Sequence, residues 1–266
     1  MSKFLCTPTI GLDTPTSTGR PMIGTLWRDW LHQDEHNGRQ GGPWGWAFGL
    51  VMVALAANLL VNQAVSGAHV AAGLGLIACL VVIARAERLS AADLGLARSA
   101  WPAGLWWGAA AAVLVGAAYA LGYLVTPVRQ ALPDGDGGLG RAMLWTVLVV
   151  IPLGTVLPEE FAFRGLLLAL LGRRYGVLAG ALLSSGLFGL WHVAASLGGG
   201  PANAAIVGVV GGDAAGTVAR VIATVSFTTL GGVVLCWLRL RSGSLLAPIL
   251  AHWTVNALGV IVTLVA

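Results

Sequence analysis

Apolar residues run along this chain in blocks of about 20, separated by short polar stretches. A block of that length matches the hydrocarbon core of a bilayer. Lipid offers the backbone no hydrogen-bond partners, so each block must be helical. The pattern predicts spans at 46–65, 69–84, 103–125, 142–171, 177–196, 217–238 and 245–265. Trp101, Trp106 and Trp107 stand at the start of the third, where amphipathic rings suit the headgroup boundary. The block 142–171 is unusually long and carries Pro152 and Pro158. Read as one span it gives seven crossings, and read as two elements it gives eight. The stretch 198–216 is rich in Gly and Ala, and its apolar centre at 204–210 is too short to cross, which suggests a re-entrant or surface segment.

Residues 1–43 form a polar arm rich in Thr, Pro and Gly, with no apolar core followed by a cleavage site, so no cleaved signal peptide is expected. Within it Met22, Ile23, Leu26, Trp27, Trp30 and Leu31 recur at helical spacing. They suit an amphipathic helix on the membrane surface or one packed on the protein's own loops. The expected organisation is therefore this arm followed by a transmembrane domain over 44–266. The fold class is an all-α polytopic bundle.

Composition agrees. Hydrophobic residues make up 57% of the 266 and charged ones 10%, against roughly 25% charge in ordinary soluble domains. A soluble enzyme, a disordered tail and a nucleic-acid binder are excluded. The formal charge of +4 reflects loop asymmetry: eleven Lys and Arg fall on one side of the seven-span layout and two, Arg129 and Arg141, on the other. Positive residues stay inside, so the arm is expected in the cytoplasm of a multi-pass cell-membrane protein. Three cysteines without metal or redox spacing read as packing residues.

Ionisable residues at membrane depth are expensive and mark function. Only Glu159 and Glu160 are mid-span acids, in the string Pro158-Glu159-Glu160-Phe161-Ala162-Phe163-Arg164. Proline favours the first position of a helix. A new segment is therefore expected to start here, its free N–H groups steadying the carboxylates. Arg164 lies four residues after Glu160, an ion-pair spacing. Glu159 projects about 100° away and is left free. Phe188 and His192 are four apart, so ring and imidazole can pack, and His252 and Asn256 share a face of the last span. A free carboxylate with an imidazole can activate water, and a His/Asn pair can donate to an oxyanion. Asn58, Asn62 and Gln63 read as interhelical hydrogen-bonding residues, and Arg220 as snorkelling outward.

These strings, in this order on separate spans, resemble the CPBP family of CAAX proteases and bacteriocin-processing enzymes, also called Abi. Its motifs are Glu-Glu-x-x-x-Arg, Phe-x-x-x-His and His-x-x-x-Asn, met here by Glu159, Glu160 and Arg164, by Phe188 and His192, and by His252 and Asn256. The string Asp93-Leu94-Gly95-Leu96 is similar to a further family segment. The resemblance spans roughly residues 90–260 and implies an intramembrane endopeptidase. Its type II CAAX prenyl endopeptidase branch removes a C-terminal tripeptide from prenylated proteins. Carried over, Glu159 activates water with His192 assisting, His252 and Asn256 form the oxyanion hole, and Glu160 with Arg164 holds the Glu159 helix.

The implied partners are membrane lipid and a peptide or protein substrate, lipidated or not, including leader peptides. Family members are often labelled metalloproteases, and zinc uses Glu and His ligands. This chain has no His-Glu-x-x-His, and no cofactor is expected. The alternatives are a non-catalytic bacteriocin-immunity or sorting protein and a proton-coupled transporter. On a uniform layout His192 and His252 differ in depth by roughly 12 Å, a gap that tilt or a late start of the last span would close.

Overall fold

In the computed structural model the described residues are 45–125, 140–198, 207 and 211–265. The N-terminal arm with its expected surface helix, Cys6, and most of the Gly/Ala-rich stretch lie outside them. The helices are α1 (Gly45–Ala64), α2 (His69–Ala86), α3 (Trp101–Leu124), α4 (Arg141–Tyr175), α5 (Val177–Trp191), α6 (Val193–Leu197), α7 (Ala214–Ser242) and α8 (Leu246–Val265). Among the described residues, six helical segments are long and apolar enough to cross a membrane, the fifth of them being α5 and α6 read through as Val177–Leu197. A shorter apolar helix, Leu246–Val262, completes the set. The protein is a polytopic bundle of about seven spans. Trp106, Val113, Leu114 and Phe227 are each more than 70% exposed, the reverse of a soluble surface and what lipid contact requires.

Pro152 and Pro158 do not divide α4, which runs as one span of 35 residues, so the eight-span reading falls away. Two stretches, Thr146–Val156 and Phe161–Leu167, are π-helical. In an α-helix proline loses the bond to the carbonyl four residues back and its ring strikes that carbonyl. The wider π turn bonds five residues back, as Leu157 N–H does to Pro152 O, which gives the ring room. Such bulges cluster at functional sites. The expected fresh helix start at Pro158 is thus corrected. Val156 and Leu157 are already helical, and the carboxylates are steadied by side chains instead.

Small residues let backbones meet closely in membranes. A methyl built on Gly73 of α2 would sit 2.5 Å from the Leu153 carbonyl oxygen and 3.0 Å from the Gly154 α-carbon. Gly73→Ala must therefore push α2 off α4. Thermal unfolding in detergent should show a loss of about 1–3 kcal/mol, and an unchanged midpoint would mean that the two helices are free to part.

The arginine-bearing ends of α2, α4 and α7 converge on the loop between α2 and α3. Arg173 donates to Asp93 Oδ2 at 3.0 Å and to Glu87 O at 3.4 Å. Arg239 Nη2 donates to Ala92 O at 3.2 Å and Asp93 O at 2.9 Å. Gly95, at φ +73°, takes a left-handed conformation against the Arg239 guanidinium, where any side chain would collide with it. Burial tends to raise the Asp93 carboxyl, but bonds from Ser90 and Arg173 outweigh it and hold the carboxyl below its ordinary value. A depressed acid stabilises the folded form above its unfolded value, and that contribution is lost as pH falls through the lowered one. Acid therefore weakens the Arg173–Asp93 contact, while the bonds from Arg239 to the loop carbonyls do not titrate.

The same loop bears on the expected difference in depth between the two histidines. Leu245 N–H donates to Gly95 O at 2.8 Å, and a methyl on Gly165 would touch Leu245 and the Leu94 carbonyl. Gly165 lies about 15 Å up from the Tyr175 end of α4 at ~1.5 Å per residue. The α7–α8 corner is tucked into the bundle at that level, so α8 starts late and the expected depth gap closes.

Two smaller expectations are corrected. Asn62 Nδ2 donates to Asn58 Oδ1 at 3.1 Å within α1 rather than between helices. Arg220 is only 8% exposed, on the buried face of α7 with Gly216, rather than reaching outward.

Candidate active site

Glu159 and Glu160 follow Pro158 between the two π-helical stretches of α4, and both turn inward, 8% and 0% exposed. Arg164, also at 0%, donates Nη1–H to Glu160 Oε1 at 2.9 Å. Its guanidinium lies 4.0 Å from the centre of the Phe188 ring, a cation–π contact with no water to weaken it. The expected ion pair is present, and α5 supplies its apolar lid. Close approach of α7 at Gly232 leaves room for Arg164: a methyl there would sit 3.3 Å from Nη2.

His252 of α8 completes the cluster. Its Nδ1 is 2.7 Å from Glu160 Oε1, and its Nε2 is 3.9 Å from Glu159 Oε2. A carboxylate only accepts, so Nδ1 carries the proton in the first contact. The second is too long for a direct hydrogen bond and has the reach of a water bridge. Glu159 was expected to project away from Glu160's partners. Instead one imidazole bridges the angle between two consecutive side chains, with a carboxylate at each nitrogen.

Glu159 Oε1 accepts from the Trp191 indole N–H at 3.0 Å. Glu159 Oε2 is buried with no hydrogen-bond partner among the described residues. Trp191 was missed in the sequence. The available signal was its position beside His192, at the end of the same helix, where a donor-only ring arrives at membrane depth.

His192 stands at the joint between α5 and α6. Its Nδ1 is 2.8 Å from Phe188 O. A carbonyl cannot donate, so Nδ1 bears the proton and Nε2 is left as acceptor. Phe188 meets His192 edge-on with centroids 4.6 Å apart and His252 likewise at 5.8 Å. One ring therefore spaces the two imidazoles. The imidazole brought against Glu159 is that of His252, while His192 is held through Phe188 and is half-buried. Asn256 lies one turn beyond His252 on α8, also half-buried.

Among the described residues no three His, Cys, Asp or Glu side chains are arranged to hold a metal ion. A groove of about 450 Å³ has Trp191, whose indole donates to Glu159, in its wall. Met52, Leu55, Phe163, Leu187 and Val193 are among its apolar lining.

Residues 141–258 match the family model described as Type II CAAX prenyl endopeptidase Rce1-like. This stretch of the chain is similar to an Rce1-like domain. The match takes in all three motif strings and leaves α1 to α3 outside, in keeping with the CPBP resemblance. No curated protein and no solved structure matches the chain. The similarity supports a CAAX-type intramembrane endopeptidase in general.

Proposed function

We propose that this multi-pass membrane protein is an endopeptidase in which Glu159 activates a water against a peptide bond within the bundle. The observation that carries this reading is the pair Glu159 Oε2 and His252 Nε2. They are 3.9 Å apart and buried, and Oε2 has no hydrogen-bond partner among the described residues. In the proposed reaction Oε2 takes a proton as hydroxide adds to the carbonyl carbon. His192 assists by accepting at Nε2. Protonated at both nitrogens, His252 joins Arg164 in balancing the two carboxylates, so the buried cluster carries no net charge. Its Nε2–H and the Asn256 amide then donate to the oxyanion. Glu159 returns the proton to the leaving amine, and the C–N bond breaks.

The groove beside Trp191 suits the hydrocarbon part of a lipidated or strongly apolar substrate. Gathering of Arg173 and Arg239 on the α2–α3 loop supports placing that face, and with it the N-terminal arm, in the cytoplasm of the cell membrane. The test is purified protein in detergent, given lipidated and unlipidated peptides, with mass spectrometry of the products. Cleavage of one peptide class by the native chain supports the reading. Peptide retained intact but bound would favour a holding role, as in an immunity or sorting protein.

A further inference from the structure

We infer that Trp191 is a positioning residue for the reaction proposed above, holding one oxygen of Glu159 so that the other takes the proton. The inference rests on that reading of Glu159 as the base. The indole N–H meets Oε1 at 3.0 Å, while Oε2 is the oxygen turned toward His252. An indole nitrogen is a donor only. It holds an oxygen that keeps its lone pairs, and Oε1 keeps them whether Oε2 is protonated or not. The same hydrogen bond therefore survives both halves of the cycle, and the carboxylate need not turn between taking and giving the proton.

The ring is itself fixed. Phe163 of α4 packs against it at 6.3 Å between centroids, and its residue ends α5 next to the His192 joint. One helix end thus delivers the clamp on the base and the assisting imidazole together. A packing role alone, as a wall of the apolar groove, would need the ring but not its N–H.

The experiment separates ring from N–H. Trp191→Phe keeps an aromatic wall. Placing β-(3-benzothienyl)alanine at position 191 by codon suppression keeps the fused ring and replaces N–H with sulfur. Both are expected to lower kcat by about 10-fold or more, the scale of one charge-assisted hydrogen bond, with KM changed by less than about 2-fold. Wild-type kcat in the benzothienyl protein overturns the inference, whatever the phenylalanine variant does. Glu159→Gln, run alongside, tests the base itself: if that variant still cleaves, the reading of the site fails rather than the indole contact. Where no peptide is cleaved, infrared difference spectra of native protein against Glu159→Gln isolate the Glu159 carboxylate stretch. That band should move when sulfur replaces the indole N–H, and an unmoved band overturns the inference.

Discussion

Arg164→Met is expected to cost about 3–5 kcal/mol of stability, the scale of an uncompensated buried charge. Arg164 and Glu160 are both fully buried and joined at 2.9 Å. Removing the cation leaves a carboxylate in an apolar wall with only His252 at 2.7 Å to balance it. The loss should appear as a lower unfolding midpoint in detergent. The double variant Glu160→Gln/Arg164→Met separates charge from packing. Glutamine keeps an oxygen for His252 Nδ1–H, and methionine keeps apolar volume under Phe188, so most of the stability should return. A single Arg164→Met change costing less than about 1 kcal/mol would mean that Glu160 is already protonated and the pair is not ionic.

Glu159→Gln is expected to lower peptide hydrolysis by about 10²- to 10⁴-fold, the usual contribution of a positioned general base. The fold should be unaffected. Glutamine is of the same size, and its side-chain oxygen can still accept from Trp191, which meets Oε1 at 3.0 Å in the native chain. Initial rates on any peptide the native protein cleaves would measure this. A variant retaining a tenth of native activity would remove Glu159 from the proposed chemistry. The contrast with Arg164 is informative: one substitution should destroy stability and the other only rate, although the residues sit a turn apart on one helix.

The spans were legible because their cause is local. A run of apolar side chains has to be helical in lipid, and the observed helices begin and end within a few residues of the hydropathy blocks. The Glu160–Arg164 pair was equally legible, since four residues along one helix set both partners on a face. The prolines were not. Whether Pro158 starts a helix or sits within a widened one depends on how the neighbouring carbonyls are accommodated, which the one-dimensional pattern does not contain. His252 between the two carboxylates was also hidden, because it depends on the α7–α8 corner lodging against Gly165 and the Asp93–Gly95 loop.

By itself, then, the sequence determined that this is a polytopic helical membrane protein and which few polar side chains lie at membrane depth. Those facts follow from transfer energies and helical spacing along one chain. Tertiary structure alone decided which imidazole faces which carboxylate, and that the Trp191 indole N–H meets Glu159. These are contacts between separate helices, set by where each helix starts and how closely glycines let them approach.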